Sequence, residues 1–159
     1  MSEESLVKIH IDLPNHWAVG GESMWATALG DDLFRIENVP FHAYGLNFLD
    51  VVSATPDSED TIPEIRRVVK ASGHRTYRVI FSKETDREKQ EELLDKLMQY
   101  GASYERADRT LVAVDIKPSG DYLAVYDQLD EYANDEYLGF ETCEARVEGS
   151  FDDLPEGKT

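Results

Sequence analysis

Four histidines (His10, His16, His42 and His74) and one cysteine, Cys143, are the side chains best suited to holding a metal or attacking an electrophile. Their spacing argues against both roles. No two histidines stand four apart, and a lone cysteine makes no C-x-x-C pair, so no local segment offers two ligands to one ion. No metal is therefore expected. Cys143 lies among Phe140, Ala145 and Val147 and reads as a small core thiol rather than a nucleophile. Gly20-Gly21 lacks the lysine and the spacing of a phosphate-cradling loop. Acidic pairs such as Asp31-Asp32, Glu91-Glu92 and Asp130-Glu131 are neighbours in sequence, so on a helix or turn they diverge into solvent instead of forming an acid–base dyad. With no catalytic motif, no enzyme and no cofactor are expected.

Two other groups carry more weight. The first is Arg35, Asn38, Tyr44, Asp50, His74 and Arg78, a polar set that could line a small pocket, with Arg35 or Arg78 as an anion clamp. The bland alternative is that Asn38 caps a turn, Asp50 pairs with an arginine and His74 satisfies loop carbonyls. The second is the run in which Tyr122, Tyr126, Tyr132 and Tyr137 interleave with Asp121, Asp127, Asp130, Glu131, Asp135 and Glu136. Aromatic anchors inside a charged rim suit a protein interface, although half of the tyrosines would face the fold's own core.

Elements must position these residues, and composition limits which. The chain has 159 residues, 41% hydrophobic and 10% aromatic, enough to build a core. Its formal net charge is −17, and residues 119–159 hold twelve Asp/Glu against Arg146 and Lys158. Such a surface disfavours nucleic acid and anionic membranes and favours a basic partner. The acidic start Met1-Ser2-Glu3-Glu4 is unlike a signal peptide, and no apolar stretch reaches the ~20 residues of a spanning helix. The one cysteine fits a reducing compartment, so the expected location is cytoplasmic.

The first half reads as short strands: 5–12, 22–29, 33–37, 50–54 and 64–70, with a hairpin signal at Gly30-Asp31-Asp32. The second half changes period. Arg75 to Ser82 alternates as a strand, and Thr85-x-x-Glu88 is a capping box before a helix with Leu93, Leu94, Leu97 and Met98, ending at Gly101. Ala102 to Ala107 and Thr110 to Ile116 form a hairpin about Asp108-Arg109. Pro118-Ser119 opens a second helix with Tyr122, Val125, Tyr126, Leu129 and Ala133 on one stripe, and 137–147 is a last strand. The expected fold is α+β: a small β-barrel-like unit over 1–72, packed on a ferredoxin-like βαββαβ sandwich over 73–148, then an acidic flexible tail over 149–159. Both helices would cover one sheet face, leaving the other to the barrel, solvent or a partner.

Several segments, in order, carry a resemblance: Glu22-Ser23-x-Trp25-Ala26; Arg35-Ile36-x-Asn38-x-Pro40-Phe41-x-Ala43-Tyr44-Gly45; Asp50-Val51-Val52; and Ser72-Gly73-His74-x-Thr76-x-Arg78-Val79. Over residues 6–147 the chain resembles the bacterial domain-of-unknown-function family DUF4265. The resemblance implies a stand-alone bacterial protein and brings no activity with it.

The expected function is therefore non-enzymatic binding. The leading form is an immunity protein that blocks a basic bacterial toxin domain by electrostatic complementarity, gripping it through Tyr122, Tyr126, Asp127, Asp130, Glu131, Asp135 and Glu136. The alternative is a small-ligand-binding regulatory domain using the Arg35-to-Arg78 pocket between the two subdomains.

Overall fold

The computed structural model describes residues 6–16, 19–59 and 61–154. It is a mixed α+β protein with two helices, a five-stranded sheet and a four-stranded sheet. The chain divides into two units: one holds the described residues up to Ser72 and again from Glu144, the other is Gly73–Cys143.

In the first unit the strands are β1 (Leu6–Asp12), β2 (Gly21–Gly30), β3 (Leu33–Ile36), β4 (Val51–Thr55) and β5 (Glu64–Lys70). Each pairs antiparallel with the next. β5 then returns to β1 through one parallel pair, His10 with Glu64. The period-two pattern sends Ile9, Ile11, Met24, Ala26, Val52, Ala54 and Ile65 into one core. The β2–β3 turn needs positive φ at Gly30 (89°), Asp31 (57°) and Asp32 (62°), a conformation that Gly and Asp tolerate best. Of the segment from Gly149, expected to fray, residues 149–154 are among those described. Phe151 packs on the first unit's core, the Phe151 carbonyl accepts from Tyr44 N (2.9 Å), and Asp152 accepts from Asn15 N (2.8 Å). A half-buried aromatic and a buried carboxylate within the acidic run thus tie it to the first unit.

In the second unit β6 (Arg75–Phe81), α1 (Arg87–Leu97), β7 (Ala102–Arg106), β8 (Leu111–Ile116), α2 (Tyr122–Asn134) and β9 (Leu138–Thr142) follow in order. The sheet order is β7-β8-β6-β9, every neighbouring pair antiparallel. Tyr77, Val79 and Phe81 of β6 meet Leu93, Leu94 and Leu97 of α1 and Val125, Leu129 and Tyr132 of α2 in a second core.

Four local expectations are corrected. The N-cap of α1 is Asp86, whose side chain accepts from Lys89 N (2.9 Å); Thr85 instead donates its hydroxyl to the Tyr137 carbonyl (2.9 Å). α2 starts after Asp121, which accepts from Ala124 N (3.0 Å), rather than at Pro118. Its inward stripe takes Tyr132, leaving Tyr126 40% exposed. β9 stops at Thr142, five residues short of the span read from the sequence: its pairing with β6 ends at Tyr77–Thr142, and residues from Glu144 belong to the first unit.

Candidate functional site

The acidic surface is set by how α2 docks. Val125, Leu129 and Tyr132 recur at helical spacing and turn inward, so the opposite face falls to Leu123, Tyr126, Asp127, Asp130, Glu131 and Asn134. All six are exposed, Leu123 by 70%. No Lys or Arg lies within Tyr122–Asn134. The result is an apolar pair, Leu123 and Tyr126, at the head of a row of carboxylates. Sequence reading missed Leu123, although its position beside Tyr122 and off the apolar stripe was the available signal.

The four tyrosines divide. Tyr122 lies flat against Tyr77 (centroids 4.5 Å apart), with the Arg75 guanidinium 3.3 Å from its ring. Tyr132 is buried and donates its hydroxyl to the Leu93 carbonyl (3.2 Å), and burial pushes its phenol up to about 12. Tyr137 sits under the Lys89 ammonium, 5.0 Å from the ring centroid. Tyr126 alone among them presents an exposed edge while its ring packs on Phe140.

The row continues past the helix. Asp135 and Glu136 turn the chain, Glu136 at φ 66°, and both are exposed. Ser82 fastens this turn to the start of α1: its hydroxyl donates to Glu136 O (2.7 Å) and its N–H to Tyr137 O (2.9 Å). An open cleft of about 880 Å³ lies between the two turns, lined by Glu84, Asp86, Lys89, Asp135, Glu136 and Tyr137 among others. Four carboxylates facing one ammonium make it a seat for a cationic group. Glu84 and Asp86 are further residues that the sequence reading missed. In sequence they lie far from Asp135, and the β6–β9 pairing with the Ser82 and Thr85 bonds brings them together.

The polar set from the sequence is split. Arg35, Asn38, Tyr44 and Asp50 belong to the first unit, His74 and Arg78 to the second. Arg35 Nε donates to Glu37 (2.8 Å), which also accepts from the Thr27 hydroxyl (2.7 Å). Asn38 Oδ1 accepts from Trp25 N (2.7 Å). Tyr44 is buried beneath the Arg146 guanidinium, 4.6 Å from the ring. Asp50 accepts from Asn47 N (2.9 Å) and Ser72 N (2.8 Å), holding two turns. His74 Nδ1 meets the Asp115 carboxylate at 2.9 and 3.0 Å. Burial raises the Asp115 carboxyl, and the facing imidazole opposes that rise. Arg78 is buried with Nε 3.5 Å from Glu141.

Fold and surface together define a mixed α+β protein whose exposed acidic helix and loop form one continuous negative face. The chain belongs to the family Domain of unknown function (DUF4265), which matches residues 22–140. Among curated proteins there is no significant match. The fold is shared with the crystal structure of a hypothetical protein from Neisseria gonorrhoeae, at TM-score 0.70 and 18% identity, covering 91% of this chain and 96% of that one. At that identity the likeness speaks for the fold alone. Among the described residues, no helix is long and apolar enough to cross a membrane.

Proposed function

We propose that this protein is a non-enzymatic, cytoplasmic binding protein that grips a basic protein partner through the outer face of α2 and the loop after it. The leading form is an immunity protein that occupies the cationic cleft of a bacterial toxin domain. The observation that carries the reading is the row Asp127, Asp130, Glu131, Asp135 and Glu136, every member exposed, running from Leu123 and Tyr126 to the acidic cleft. A small apolar anchor within a charged rim gives affinity at the centre and steers association from a distance. The fold behind it is read as a small barrel, since β5 returns to β1, and a ferredoxin-like sandwich, since β6 to β9 stand in the order β7-β8-β6-β9 with both helices on one core. The ligand-pocket alternative draws less support, because Asn38, Asp50 and His74 already spend polar atoms on Trp25, Ser72 and Asp115.

The test is affinity capture of partners at graded salt, followed by association kinetics with the captured protein. Neutralising Asp127, Asp130, Asp135 and Glu136 together should slow association and flatten its salt dependence, and Leu123→Ala should mainly speed dissociation. Unchanged kinetics in the neutralised variant would remove α2 from the interface.

A further inference from the structure

The strand pair that joins β5 to β1 also gathers side chains that lie far apart in sequence. His10 and Asp12 project from the same side of β1, opposite the core-facing Ile9 and Ile11. Glu64 stands across from His10 in the parallel pair, whose register is fixed by His10 N donating to Pro63 O (3.0 Å). His10 Nε2 is 3.7 Å from Asp12 Oδ1 and 3.7 Å from Glu64 Oε1, and one ligand atom from each of the three lies within 4.8 Å of the others.

We propose that His10, Asp12 and Glu64 form a binding site for a divalent transition-metal ion, with Zn²⁺ the best fit. One imidazole and two carboxylates are borderline-hard donors that suit Zn²⁺, and their charge of two offsets that of the ion. Ligands on a tetrahedral zinc at ~2.0–2.2 Å stand about 3.4 Å apart, so the two distances from His10 close by a few tenths of an ångström, and the Asp12–Glu64 separation, within 4.8 Å, closes by little more than an ångström at most. Asp12 can supply that movement, its side chain being 64% exposed, whereas His10 and Glu64 are largely shielded at 20% and 15%. His10 Nδ1 is buried and has no hydrogen-bond partner among the described residues. Nε2, which faces the two carboxylates, is the ring nitrogen placed to bind, and any proton it shares with them is released when the ion enters. Beside the cluster, Arg66 donates to Asp57 at 2.8 Å and brings a positive charge close to the acidic group. Three protein ligands leave the fourth position to water, so the site is open and exchangeable.

The test uses the full chain stripped with a chelator, titrated with Zn²⁺ by calorimetry, and monitored through the imidazole nitrogen resonances. One ion per chain is expected, with the His10 ring signals shifting on addition. Asp12→Asn, at an exposed position that does not threaten folding, should weaken binding by about tenfold or more, and so should Glu64→Gln. Paired changes His16→Gln and His42→Gln should leave binding unchanged. The proposal is overturned if Asp12→Asn and Glu64→Gln bind Zn²⁺ like the parent chain, or if His10 responds to pH but not to Zn²⁺. Either result would mark the cluster as an imidazole–carboxylate ion pair. Loss of binding in the His16/His42 variant would overturn it equally.

Discussion

If the α2 carboxylates serve a partner and not the fold, removing them should stabilise the protein. Asp127 faces Asp130 and Glu131 at i+3 and i+4, and Glu131 faces Asp135 at i+4, so three like-charge pairs share one helix surface with no cation among them. Each such pair costs ~0.2–0.5 kcal/mol at low salt. Glu131 and Asp135 also lie at the helix C-terminus, where the macrodipole disfavours negative charge by ~0.3–1 kcal/mol. Allowing for solvent screening, the quadruple variant Asp127→Asn, Asp130→Asn, Glu131→Gln, Asp135→Asn should gain about 1–2 kcal/mol. Urea unfolding would be measured at about 0.01 M and about 1 M salt, where the screening lengths are ~30 and ~3 Å. The gain should be present in the first and nearly absent in the second. A variant that is less stable than the parent at both salts would show that the carboxylates hold the fold together, and the reading of the row as surplus charge kept for binding would be refuted.

Other outcomes follow from single contacts. Tyr132 is held neutral by burial up to about 12, and Tyr77 is raised as well, whereas a free phenol ionises near 10. The folded state thus keeps protons that the unfolded chain would release, so this contribution is complete below pH ~10 and is lost as pH climbs towards ~12. Tyrosinate absorbance should show two of the eight tyrosines silent until unfolding, and full titration of an intact fold near pH ~10 would contradict this. Asp86→Ala should cost about 1 kcal/mol by chemical denaturation while Glu88→Ala stays within a few tenths, the reverse of what a Thr85–Glu88 capping box requires. Gly101→Ala should cost at least about 1–3 kcal/mol, because φ is 82° there and an added Cβ would stand 2.8 Å from Gly120 Cα. A melting temperature equal to the parent's would exclude that strain.

Local patterns in the sequence were legible where one face of an element meets one core. The alternation of Tyr77, Val79 and Phe81 and the repeat of Leu93, Leu94 and Leu97 both report burial directly, and Gly101 ends its helix as its residue type suggests. What could not be read locally was decided by partners far along the chain. Thr85 looks like a cap until Tyr137 claims its hydroxyl from 52 residues away. Asp50 takes backbone N–H groups from two separate turns, a convergence that no local pattern announces. The acidic row was visible as composition, but its partition into exposed Tyr126 and inward Tyr132 depended on how α2 is rotated. The His10 cluster was invisible for the same reason: His-x-Asp is no motif until the strand pairing delivers Glu64.

The return of residues from Glu144 to the first unit has a consequence for how the protein is made. Its five strands leave the ribosome first, yet Phe151, which packs against that unit's core, and Asp152, which accepts from Asn15 N, are translated after the whole of Gly73–Cys143. Synthesis at ~5–20 residues per second leaves the nascent first unit without the Phe151 and Asp152 contacts for several seconds. The second unit is contiguous and can close as soon as Cys143 emerges, so the half made first is the half finished last.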